Sequence, residues 1–142
     1  MRSIKNINYK KILSLFLQQN GSPFFNAKGL AIGVFSGCFP FFGLQTLLGI
    51  SLAKLAKGNL FLAAIGTWIS NPLTYIPLYY FNYKVGSIFF KNNPHIIFDE
   101  NLNVNDLWQQ GSMFSFILIL GSSLVGLVLA FISGLIVFFL YK

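Results

Sequence analysis

Charged positions divide this chain into long uncharged runs. Residues 29–53, 58–83 and 111–141 contain no Asp, Glu, Lys, Arg or His, and they are 25, 26 and 31 residues long. A helix needs about 20 mostly apolar residues to cross a hydrocarbon core of roughly 30 Å. Each run is long enough. The runs lack the roughly ten-residue alternation of barrel strands, and in lipid only helices and closed barrels satisfy every backbone group. The pattern predicts an all-α integral membrane protein.

The first two runs are interrupted. Gly37-Cys38-Phe39-Pro40-Phe41-Phe42-Gly43 sits in the middle of one, and Asn71-Pro72, followed by Pro77, in the middle of the other. Proline removes a backbone donor and clashes with the preceding turn. It also drives the residue before it out of helical geometry. Each of these runs is expected to hold two half-helices, either as a kinked spanning helix or as a re-entrant hairpin. If both span, Lys54 and Lys57 lie opposite the N-terminus. If both re-enter, they join Lys28, Lys84 and Lys91, and Lys142 alone is across the membrane. The positive-inside tendency favours re-entry. The third run, 111–141, is unbroken and predicts one transmembrane helix.

Two flanking segments complete the plan. Residues 1–28 carry Arg2, Lys5, Lys10, Lys11 and Lys28, with Ile4, Ile7, Ile12, Leu13, Phe16 and Leu17 at roughly helical spacing. This predicts a basic amphipathic helix at the membrane surface. A signal peptide fits poorly, because the apolar core is short and Gln18-Gln19-Asn20 replaces a small-residue cleavage site. Asn20-Gly21-Ser22-Pro23 marks a turn or a helix boundary. Residues 84–110 form a polar loop with His95, Asp99, Glu100 and Asp106. Asn105-Asp106 is placed to cap the last helix, and Trp108 to sit at the interface.

Composition sharpens the class. Of 142 residues only 9% are charged and 55% are hydrophobic, against roughly 25% charged in ordinary globular proteins. Disorder is excluded by the hydrophobicity, and a disulfide scaffold by the single cysteine, Cys38. The net charge is +7. Its lysines are scattered between apolar runs rather than gathered on one face, so they read as flanking charge and not as a nucleic-acid surface. The partners expected are the lipid bilayer and either further copies of the chain or another membrane protein, since three segments enclose little.

Neutral polar residues gather at the two breaks. Pro40, Gly43, Gln45 and Thr46 belong to the first; Thr67, Ser70, Asn71, Pro72 and Thr74 to the second. Such side chains can satisfy backbone groups freed by a break. They can also line a polar site at membrane depth, as in transporters built on broken helices. Small residues recur every four positions as Gly29, Gly33, Gly37 and as Ser122, Gly126, Ala130, Gly134. Such ladders let helix backbones approach closely in lipid. Tyr75, Tyr79, Tyr80 and Tyr83 are read as interfacial anchors.

Enzyme chemistry has little to work with. General acid–base catalysis draws mainly on His, Asp, Glu or Lys, and proton-coupled transport on an intramembrane carboxylate or histidine. The uncharged runs contain none. His95, Asp99 and Glu100 match no closed metal-ligand set, and Cys38 has no electropositive neighbour in sequence. No catalytic residue, metal or cofactor is expected. The function expected is that of a non-enzymatic accessory or scaffold protein; the alternative is a small permease-like or lipid-handling protein with its site at the breaks.

The two broken strings also resemble a known family. The run from Gly33 to Thr46, Gly-Val-Phe-Ser-Gly-Cys-Phe-Pro-Phe-Phe-Gly-Leu-Gln-Thr, is similar to the first signature of the domain of unknown function 2062 family. The run from Gly66 to Tyr79, Gly-Thr-Trp-Ile-Ser-Asn-Pro-Leu-Thr-Tyr-Ile-Pro-Leu-Tyr, is similar to its second. Ser22-Pro23 fits its usual start. The resemblance covers about 22–86 and more loosely the last run. It implies a multi-pass protein of a bacterial cell membrane, with its N-terminus cytoplasmic by the charge argument. It supplies no catalytic residues.

Overall fold

A computed structural model describes residues 21–41, 43–90 and 104–142, with side chains from Trp108 onward in the last stretch. The amphipathic segment before Gly21, and His95, Asp99 and Glu100, lie outside the described residues. Within them all regular structure is helical.

Helix α1 spans Pro23–Gly37. Ser22 caps it, its side chain accepting from Phe25 N–H at 3.2 Å, and Pro23 occupies the first turn, where its missing N–H costs nothing. The boundary expected at Ser22-Pro23 is where the helix begins. α1 ends at the Cys38–Pro40 turn. Gly43 has φ +81°, in the left-handed region that glycine enters without steric cost.

Helix α2, Gln45–Leu55, then runs back along α1. Three contacts fix its direction. The Gln45 amide reaches the Phe39 carbonyl at the tip, Gly49 packs beside Ser36 and Gly33, and Lys28 Nζ donates to the Ala56 carbonyl at 2.8 Å near the open end. The first broken run is therefore a hairpin. Lys57, at φ 52°, terminates α2, with Gly58 N–H bonding back to the Ala53 carbonyl at 2.8 Å and Lys57 N–H to the Lys54 carbonyl at 3.1 Å. This is the paired closure of a left-handed helix stop.

Helix α3, Leu60–Gly66, continues into a 3-10 turn, Thr67–Ile69. Asn59 caps it by accepting from Phe61 and Leu62 N–H. α3 lies parallel to α1 in a fixed register. Gly29 abuts Asn59, Gly33 abuts Ala63 and Gly37 abuts Thr67. A side chain at any of these glycines would strike the facing backbone. In return Gly66 sits against Leu30 and Val34 of α1.

After the Ser70–Thr74 break, helix α4, Tyr75–Ser87, does not turn back. The last helix, α5, spans Val104–Leu140 and shows why. Its C-terminal part runs antiparallel to α1, with Ala27 near Val137, Gly134 near Ala31 and Gly126 near Cys38. Its N-terminal part runs antiparallel to α4, with Gly121 against Asn82 and Gly86 against Ile117. α4 thus begins at the level where α1 stops and carries on in the same direction. The two broken runs, expected to behave alike, differ: the first folds back, the second runs through.

Two further boundaries shift. α4 extends past the uncharged run through Lys84, and α5 begins at Val104, upstream of Asn105-Asp106. That pair lies in the first turn of α5 and not before it. Trp108–Leu140 is the one described helix long and apolar enough to cross a membrane, with a mean hydropathy of 2.7 in its most apolar window.

Candidate functional site

Both breaks come to one level of the bundle, and the polar side chains there bond to freed backbone groups and to each other. The carbonyls at the end of α1 have no helical partner. Gln45 Nε2 donates to the Phe39 carbonyl at 2.6 Å and to Tyr79 Oη at 2.6 Å, and Tyr79 Oη donates to the same carbonyl at 3.2 Å. Ser70 Oγ donates to Gln45 Oε1 at 2.9 Å. The Gln45 amide thereby ties together α1, the first turn of α2, the second break and α4. Next to it, Thr67 Oγ1 donates to the Ala64 carbonyl at 2.7 Å. Its one proton is engaged there, so Thr46 is the donor in the 2.9 Å bond between the two hydroxyls.

One residue earlier, just past the end of α1, Asn82 of α4 performs the same task. Its Nδ2 donates to the Cys38 carbonyl at 2.9 Å and to Ser122 Oγ of α5 at 3.0 Å. The carbonyl fixes the amide orientation, because only nitrogen can donate to it. Asn82, Ser122 and Cys38 are fully buried. The end of α1 is capped in trans by two amides and a phenol, all neutral.

The second break is satisfied locally. Asn71 Oδ1 accepts from Leu73 N–H at 2.9 Å and Thr74 N–H at 3.2 Å, and Thr74 Oγ1 donates to the Ile69 carbonyl at 2.6 Å. This is an Asx turn around Pro72. Of the residues singled out from sequence, Gln45 and Ser70 meet in one cluster and Thr46 and Thr67 pair beside it. Asn71, Pro72 and Thr74 form their own turn, and Pro40 and Gly43 shape the hairpin tip. Tyr79 departs from the anchoring role expected of it by joining Gln45. Tyr83 stacks on Phe114 of α5, with ring centroids 4.9 Å apart.

Three asparagines escaped the sequence reading. Asn82 is one. The others form a buried pair at the open end of the hairpin, where Asn59 Nδ2 donates to Asn26 Oδ1 at 2.8 Å. A lone Asn in an apolar stretch has no periodic partner that would reveal its role. The ladders find their neighbours: Gly29, Gly33 and Gly37 against α3, and Ser122, Gly126, Ala130 and Gly134 along α4 and α1. Gly86, Gly66 and Gly121 make approaches as close.

Among the described residues, three buried polar atoms have no hydrogen-bond partner: Asn26 Nδ2, Ser36 Oγ and Asn82 Oδ1. Each has its own neighbours. Asn26 is at the open end of the hairpin, Ser36 faces Gly49 of α2, and Asn82 faces α5. Among the described residues no three of His, Cys, Asp and Glu come together as a metal site.

No curated protein and no solved structure matches the chain. A family model described as an uncharacterized protein conserved in bacteria matches residues 8–142, taking in both breaks, the clasp that Gln45, Tyr79, Ser70 and Asn82 make around the end of α1, and α5. The chain belongs to the domain of unknown function 2062 family.

Proposed function

We propose that this is a non-enzymatic scaffold protein of the bacterial cytoplasmic membrane, built to hold a helical hairpin that enters from one face and stops short of the other. The observation that carries the membrane reading is the exposure of α5. Only 22% of its most apolar window is buried in the fold. A core helix of that hydropathy in a soluble protein is mostly covered. Phe116, Leu127, Val128, Phe131, Ile136 and Phe139 are all more than half exposed, so lipid is the partner this surface calls for.

Helix lengths then give the topology. α1 rises about 22 Å, too little to cross a core of roughly 30 Å. The Leu60–Ile69 stretch and α4 together rise about 35 Å, enough to cross it. The chain would enter and return through the hairpin, cross through α3 and α4, and return through α5. Lys28, Lys54, Lys57 and Lys142 then share one side, to which the segment bearing Arg2, Lys5, Lys10 and Lys11 is also joined. Lys84 falls toward the other, and the sequence joining α4 to α5 carries Lys91, Asp99, Glu100 and Asp106. Such an asymmetry of eight basic residues against two makes the first side cytoplasmic by the positive-inside tendency.

The scaffold reading rests on the clasp. Its donors are engaged by backbone carbonyls and by one another. A permease-like or lipid-handling site would need several polar groups turned toward one ligand. Cysteine labelling from either face of sealed vesicles tests the topology, because the native Cys38 is fully buried. Cysteines at positions 54–58 should label from the cytoplasmic face and those at 88–89 from the opposite face. Labelling of 54–58 from outside would overturn it.

A further inference from the structure

Two apolar hollows, of about 210 and 470 Å³, adjoin along the α1–α5 seam and share Ala31 and Ala130. Together they make one trough. Its floor is Ala31, Ile32 and Phe35 of α1, and Leu52 of α2 and Leu127 of α5 stand on its two sides. Alanines at the floor and seam leave the space that larger side chains would fill.

The length of the trough is informative. It follows α1 from Phe24 to Phe35, which is about 16 Å of helix. That is close to the hydrocarbon depth of a single leaflet, about half of 30 Å. An acyl chain lying in it would start at the membrane surface and end near the midplane.

Its mouth is cationic. Lys28 lines it. The ammonium donates to the Ala56 carbonyl and lies 5.0 Å from the Phe24 ring centroid, and an ammonium has three donors. Lys54 and Lys57 flank Ala56 in sequence, and Lys142 follows the end of α5 beside the start of α1. No described side chain is acidic.

We infer that the α1–α5 seam binds one anionic phospholipid of the cytoplasmic leaflet, its acyl chain in the trough and its phosphate at Lys28. The inference rests on the membrane reading above. It goes beyond a general lipid coat by naming a place, a headgroup charge and a contact residue.

The test is native mass spectrometry of the full chain after reconstitution in nanodiscs of equal phosphatidylglycerol and phosphatidylcholine. The wild type should retain one phosphatidylglycerol per chain, with a preference of roughly five-fold per lysine engaged. Lys28→Gln keeps a donor for the Ala56 carbonyl but removes the charge, and should abolish most of the preference; Lys28→Arg should restore it. Leu52→Trp fills the trough from its exposed wall and should lower retention of both lipids. Equal retention of the two lipids by the wild type would overturn the inference, as would a preference unchanged in Lys28→Gln. Displacement of the lipid by free glycerol phosphate, or a second copy covering a lipid-free trough, would also overturn it. If the vesicle labelling gives the expected topology while the preference is missing, this inference alone fails. If the chain does not integrate into vesicles at all, both fail.

Discussion

At the residue scale, the clasp separates polar groups that hold the fold from those that merely accompany it. Gln45 bonds three partners on three other parts of the chain, whereas Thr46 makes one bond to a hydroxyl whose own proton is already engaged. Removing Gln45 takes three bonds at once: the closer of two acceptors from Ser70, one of two donors from the Phe39 carbonyl, and the donor to Tyr79 Oη. Each such bond contributes about 0.5–1.5 kcal/mol net. Replacing Thr46 leaves no new orphan, and a single interhelical bond in lipid contributes about 0.6 kcal/mol on average. Gln45→Leu should therefore lower the melting temperature in detergent clearly more than Thr46→Val does. Equal losses would mean that the clasp is not the joint between the two breaks. The comparison also bears on function. Under the scaffold reading, any phenotype of Gln45→Leu should track its loss of folded protein. Lost phenotype with unchanged stability would favour a ligand site instead.

At the element scale, close approach decides which glycines matter. A Cβ on Gly33 would strike the Ala63 carbonyl across the α1–α3 contact, while one on Gly111 of α5 meets nothing within 4 Å. Overpacking a tight contact costs typically 1–3 kcal/mol, whereas Ala for Gly in an open helical position gains up to about 1 kcal/mol. Gly33→Ala should destabilise and Gly111→Ala should be neutral or stabilising, as read by thermal unfolding in the same detergent. The ladder at Gly29, Gly33 and Gly37 was legible because its period of four matches a helix face. The breaks were legible for a similar reason: Pro40 and Asn71-Pro72 stop helices by local chemistry. The direction of the chain after each break was not. Gly43 permits a sharp turn, but the return of α2 depends on tertiary contacts such as Gln45 to Phe39 and Lys28 to Ala56. The onward course of α4 depends on Asn82 reaching both Cys38 and Ser122. Proline chemistry alone treats the two runs as equivalents, and they are not.

At the scale of the whole molecule, α5 is the element against which the others are aligned. It meets α1 along its C-terminal part and α4 along its N-terminal part. The start of α1 and the end of α5 therefore meet, and loss of α5 would leave α1 and α4 without a shared support. Sequence alone leaves open whether the small-residue face of α5 meets its own α1 or that of another copy, since ladders of this kind serve both uses. The fold brings them together within one chain. A Cβ on Gly134 would lie 3.2 Å from the Ala31 Cβ, close to the roughly 3.5–4.5 Å separation of bonded cysteines. Ala31→Cys combined with Gly134→Cys, in a Cys38→Ala background, should oxidise to a disulfide within the monomer. That product should migrate faster than its reduced form on a denaturing gel. A band at twice the mass would instead show the α1–α5 contact exchanged between copies, and a double variant that does not oxidise would disprove the seam itself. The seam is also the floor of the trough, so the crosslinked monomer should keep its phosphatidylglycerol preference if α1 and α5 of one chain form the lipid site together.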